Sequence, residues 1–166
     1  MSIEFEVKIT RKAIFDFLLY HSYTNVMGML IVAMGVVNLA FGLHGMANGR
    51  QGNTVMYLFF ALVFFVGLPI MLWFNAGTQV KSVVLFQKPI NYELTDEGVL
   101  ACQDDKQNVA QWTSLVKVVA TKSCIFLYQG KNQAIILPRI DMGEQEIAVI
   151  EAISTHVDPS KVKIRR

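Results

Sequence analysis

The chain has 166 residues, 53% of them hydrophobic and only 17% charged, where an ordinary soluble domain carries about 25% charge. That balance excludes a disordered chain and argues against a wholly water-soluble one. A net charge of +2 is too small for charge-driven binding to nucleic acid, and two cysteines cannot staple a disulfide-dense secreted scaffold.

The first element in the chain is a strand. Ile3-Glu-Phe-Glu-Val-Lys-Ile9 alternates apolar and charged residues, which predicts Ile3, Phe5, Val7 and Ile9 on one covered face. Thr10 is placed to cap a helix from Arg11 to about Tyr23, with Ile14, Phe17, Leu18 and His21 along one side. Residues 1–24 therefore read as a strand and an amphipathic helix.

A hairpin of two membrane spans follows over residues 25–75. Residues 26–43 and 55–74 contain no charged side chain, and as helices each is about 27–30 Å long, matching a hydrocarbon core. The first block is longer than a signal-peptide core and follows a leader of mixed charge, so it reads as a retained helix. His44–Thr54, with three glycines and the single cation Arg50, reads as the connecting turn. Arg11, Lys12, Lys81 and Lys88 flank the spans, which by the positive-inside rule places both chain ends in the cytoplasm. Tyr23, Tyr57 and Trp73 fall near the span boundaries. Within the spans, Gly28, Gly35, Asn38 and Gly67 are the candidate helix–helix contacts, with Gly42 as a further small residue. Pro69 predicts a kink. The spans hold no acid or base to mark a transport path.

From residue 76 to about 87 a helix leaves the membrane, and then the period changes to two. Strands are expected at 90–94, 99–103, 109–112, 115–120, 124–129 and 133–137, joined by short turns and therefore antiparallel. Asp141-Met-Gly-Glu144 has capping-box spacing, and Ile147, Ile150, Ile153 and Val157 form a stripe that would cover the sheet until Pro159 ends the helix. Residues 76–158 make up this cytoplasmic α+β domain. Residues 159–166 are a basic tail whose Lys161, Lys163, Arg165 and Arg166 are candidate contacts for anionic lipid.

About six strands followed by one helix is the plan of a pleckstrin-homology-like antiparallel sheet or barrel. Tyr92-Glu-Leu-Thr-Asp-Glu-Gly98, Trp112-Thr-Ser-Leu-Val-Lys117, Ile125-Phe-Leu-Tyr128 and Ile136-Leu-Pro-Arg139, in this order after two spans, resemble the YcxB-like membrane protein family of bacteria. The resemblance implies the fold, the two-span topology and a bacterial inner membrane, and supplies no catalytic residue. The strand at Ile3–Ile9 is otherwise orphaned, so it is expected to join the sheet of residues 90–138.

Little chemistry is legible. Cys102, Cys124, His21, His44 and His156 have no metal-ligand spacing, and no cofactor is implied. Asp96-Glu97 and Asp104-Asp105 fall in turns. Trp112 reads as a core or sheet-edge residue or, alternatively, an exposed binding anchor, and Arg139 as an edge charge or an acid-binding group. The reading that results is a non-enzymatic interaction or scaffold module held at the bilayer, binding a protein, a lipid headgroup or a second copy. The alternatives are a small regulator or immunity-type protein acting on a partner within the bilayer, and a membrane enzyme whose site is not recognisable.

Overall fold

The computed structural model describes residues 2–49, 51–130 and 133–164. The chain forms two compact units: residues 1–17 with 78–166, and residues 18–77.

The first unit is built on two four-stranded sheets. β1 (Ile3–Val7), β2 (Ile90–Leu94), β3 (Gly98–Gln103) and β4 (Lys106–Gln111) lie in that order, all antiparallel. Phe5 pairs with Tyr92 and Val7 with Ile90, so the strand that precedes the hairpin completes the sheet that follows it. Its burial alternates as the sequence predicts, with Phe5 and Val7 covered and Glu4 and Glu6 exposed. The second sheet runs β7 (Ala134–Pro138), β6 (Cys124–Tyr128), β5 (Lys117–Ala120), β8 (Val162–Lys163). The two sheets do not join edge to edge, so no closed barrel forms.

Three expectations need correction here. First, pairing is not wholly antiparallel. β8 runs parallel to β5, with Val118 opposite Val162, and it ties residues 162–163 of the basic tail into the sheet. Second, β4 begins at Lys106, so the turn before it is only Asp104-Asp105. Asp104 takes φ 52°, a left-handed conformation that Asp tolerates better than most residues. Third, the capping box does not form. Gly143, at φ 53°, ends the one-turn α5 (Arg139–Met142), and α6 (Glu146–His156) starts with no side-chain cap. The Asp141 carboxylate instead accepts the backbone N–H of Lys8 beyond the end of β1, at 3.1 Å.

The predicted stripe on α6 holds at Ile153 and Val157, is half-buried at Ile150 and fails at Ile147, where Val149 takes the covered position instead. Val149 and Ile153, with Val157 just beyond the helix, are buried, and Ile147 points outward. α1 (Arg11–Thr24) begins at the predicted Thr10 cap, whose hydroxyl accepts Ala13 N–H at 3.3 Å. It lays Phe17 against Phe126 and Tyr128 of β6, with ring centroids 5.5 and 5.9 Å apart.

The second unit is the helical hairpin. α2 (Val26–Ala47) extends into the predicted turn. α3 (Gln51–Leu62), a π-helical turn at Val63–Gly67 and α4 (Leu68–Ser82) make one rod from the other side. Arg50 lies outside the described residues. Pro69 has no N–H to offer the carbonyl four residues back, at Phe65, and the π turn accommodates that missing bond. Val26–Ala47 and Gly52–Ser82 are long and apolar enough to cross a membrane. Only 17% and 11% of their most apolar windows are buried by the rest of the chain.

Candidate functional site

The outer side of α5 and α6 exposes two large apolar side chains of the sheet unit. Ile140 is 88% and Ile147 is 78% exposed. Ile147 and Ile150 line an open groove of about 740 Å³ whose opposite wall includes Ile164, just past β8. The helix thus carries two apolar faces, one turned to the core through Val149 and Ile153 and one turned to solvent.

Arg139 and Glu146 are polar members of the groove's lining. Arg139 donates through Nε to the Thr121 carbonyl at 3.0 Å and pairs through Nη1 with Glu146. It is therefore neither a solvated edge charge nor a free acid-binding group, since it ties β7, α6 and the β5–β6 turn together. On the tail side, Lys161 Nζ donates to the Leu115 carbonyl at 2.9 Å. Asp158 caps the turn Pro159–Lys161 that follows it. Hydrogen bonds from Ser160, with the backbone N–H at 2.8 Å, hold its carboxyl below the usual carboxylate range. Of the candidate lipid contacts, Lys161 is thus engaged by the sheet and Lys163 is exposed on β8, on the side of the strand away from Ile164. Arg165 and Arg166 lie outside the described residues.

The candidate helix contacts are placed differently from one another. A Cβ on Gly35 would stand 3.1 Å from the Phe65 ring and 3.2 Å from Phe64 Cβ, and one on Gly42 only 2.6 Å from Leu58. These two glycines are where the hairpin closes. At Gly28 the obstacle is local, the Ser22 carbonyl, and Gly28 N–H is also bound by Asn25 at 2.6 Å. Asn38 donates to Met34 O of its own helix at 2.9 Å, and the nearest side chain to Gly67 is Val63, also on its own helix. The spacing that orders these contacts is seven residues, from 28 to 35 to 42, two helical turns on one face. That repeat was legible in the sequence.

Among the described residues no cluster of His, Cys, Asp and Glu is arranged to hold a metal ion. Burial pushes the Cys124 thiol up from 9.0 to about 12, with Asp16 and Asp141 adding to the rise. The thiolate needed for nucleophilic chemistry is therefore suppressed. Trp112 is buried, stacks on His156 with centroids 5.3 Å apart, and donates its indole N–H to the Thr95 carbonyl at 2.9 Å.

That last bond joins two of the sequence segments that carry the family resemblance. Residues 94–153 match the model of the YcxB-like protein family. The YcxB-like stretch runs from the last residue of β2 into α6 and leaves out β1, the hairpin and the tail. Its motifs sit at joints of the fold. Gly98 is there because a Cβ would meet the Ala110 carbonyl at 2.3 Å, Trp112 locks the β2–β3 turn to α6, and Arg139 locks β7 to the β5–β6 turn. No curated protein and no solved structure matches the chain.

Proposed function

We propose that the chain is a membrane-anchored, non-enzymatic interaction module of the bacterial cytoplasmic membrane. The hairpin crosses the bilayer twice with both ends in the cytoplasm. The sheet unit, pleckstrin-homology-like in its order of two sheets and a C-terminal helix, presents the outer face of α5 and α6 to a protein partner. The observation that carries this reading is the exposure of Ile140 and Ile147 beside a groove lined by Ile150 and Ile164. Residues 139–158 hold five carboxylates against one guanidinium, so an anionic leaflet would repel this face and a protein surface suits it better. A role confined to the bilayer has less to work with, because Gly35 and Gly42 are already used inside the hairpin.

A photo-crosslinking residue at Ile147 of the full chain, in cells, tests the module. A discrete adduct at Ile147 that is missing when the crosslinker sits at exposed Gln107 supports it; equal labelling at both sites argues against it. For topology, cysteines introduced at Asn48 and at Asp105, with Cys102 and Cys124 replaced by Ala, should label from outside the cell only at Asn48.

A further inference from the structure

β4 and β7 are terminal strands of different sheets, and a cleft of about 180 Å³ lies between them. Three alanines make the space. Ala101 and Ala110 on the first sheet and Ala134 on β7 line it with the smallest side chains of the set. Tyr92 and Phe86 form aromatic walls. At the rim stand two exposed amides, Asn108 and Gln129. An apolar cavity of about 150 Å³ holds benzene, so this cleft has the volume for one ring or a short branched chain. Tyr92 and Ala110 are buried, so the cleft borders the core of the unit.

The wall that holds Phe86 is fixed. Gln103 donates its side-chain N–H groups to the carbonyls of Leu85, Lys88 and Pro89 at 2.9, 3.0 and 3.2 Å, pinning the connection from α4 to β2 over the cleft. A mixed lining of aliphatic and aromatic side chains with two amides, beside a pinned wall, supplies the parts of a small-molecule site.

We propose that the cleft between β4 and β7 binds a small neutral amphiphile, with an apolar group the size of one aromatic ring among Ala101, Ala110 and Ala134 and a polar end at Asn108 and Gln129. Such an occupant rests on Phe86, in the segment that links the hairpin to the sheet. The site is independent of the α6 face, and its failure leaves the interaction module untouched.

Benzyl alcohol is the probe, titrated against the full chain in zwitterionic nanodiscs while thermal unfolding is followed. The midpoint should rise and saturate as ln(1 + [L]/Kd). Ala101→Leu and Ala134→Leu fill the space, and each should abolish the rise. Replacing both Asn108 and Gln129 by Ala, at exposed positions that fold readily, should weaken benzyl alcohol about fivefold and leave benzene unchanged. A midpoint that does not rise overturns the site. So does a rise that persists in both filled variants, or a linear drift shared by all variants, which is partition into the lipid. If neither filled variant folds, equal loss of benzene and benzyl alcohol in the rim variant overturns it as well.

Discussion

The sheet unit and the hairpin solve the burial problem in opposite ways. In the sheet unit the covered positions are large: Phe126, Ile14, Ile90, Leu94, Leu115 and Leu137 are all fully buried. In α2 every buried residue is a glycine, Gly28, Gly35, Gly42 and Gly45, while valines, leucines and methionines face outward. Water drives the first arrangement, by removing apolar area from contact with it. Lipid is as apolar as leucine and gives no such drive, so helices there gain by close backbone approach, and glycine allows the closest. Buried glycines beneath outward valines, leucines and methionines are the pattern lipid selects, and large buried side chains are the pattern water selects.

The largest test of that contrast is a charge placed on each side of it. Val7→Asp puts a carboxylate at a fully buried position of β1 and should cost several kcal/mol, enough to abolish cooperative unfolding of the sheet unit by circular dichroism. The hairpin should retain its helicity, because its packing does not involve β1. Loss of both signals together would mean that the units are not separate.

Smaller effects sharpen the glycine side. Gly28→Ala drives a Cβ into the Ser22 carbonyl, which is backbone and cannot turn aside, and should cost about 1–3 kcal/mol. Gly67→Ala meets only Val63 at 3.7 Å and should be neutral or stabilising. Equal losses at the two positions, in thermal melts of the full chain, would refute the contact assignment.

Alkali should act on the sheet unit alone. Burial raises the Cys124 thiol from 9.0 to about 12 and the Tyr92 phenol from 10.0 to about 12. Between these limits the unfolded chain has lost protons that the folded one still holds. Stability is therefore complete below about pH 9 and falls as pH rises toward 12. Cys124→Ala should remove the early part of that fall, from about pH 9, and leave the part that begins near pH 10.

The smallest effect lies on the solvent face of the first sheet. Glu4 and Glu93 are directly opposite across β1 and β2, and like charges there repel. Glu4→Lys should raise stability by about 0.2–1 kcal/mol, a gain that added salt erases.

Legibility in the sequence followed the period. β1 was readable because its alternation is strict, and the spans because their length is unbroken. β4 was cut short because Lys106, Gln107 and Asn108 are exposed on an edge strand, where no covered face imposes alternation. On α6 two apolar sets overlap within one helix, Ile147 with Ile150 and Val149 with Ile153, and only the place where the helix starts decides between them. Gly143 sets that start, and the partner that draws Asp141 away from a capping role is Lys8, 133 residues distant. A two-residue parallel strand such as β8 carries no pattern at all. The lining of the inter-sheet cleft comes from β2, β3, β4, β7 and the segment before β2, so no local stretch announces it.

The pairing of β1 with β2 also sets a timetable. Val7 meets Ile90, and the whole hairpin is made between them. At roughly 5–20 residues per second, β1 leaves the ribosome several seconds before its partner exists. During that interval the waiting strand offers unpaired backbone to any neighbour. Glu4 and Glu6, alternating with its apolar residues, make it a poor template for other chains. The first sheet can close only after Ile90–Leu94 has been made, so a paired β1 records that the whole hairpin has already been synthesised.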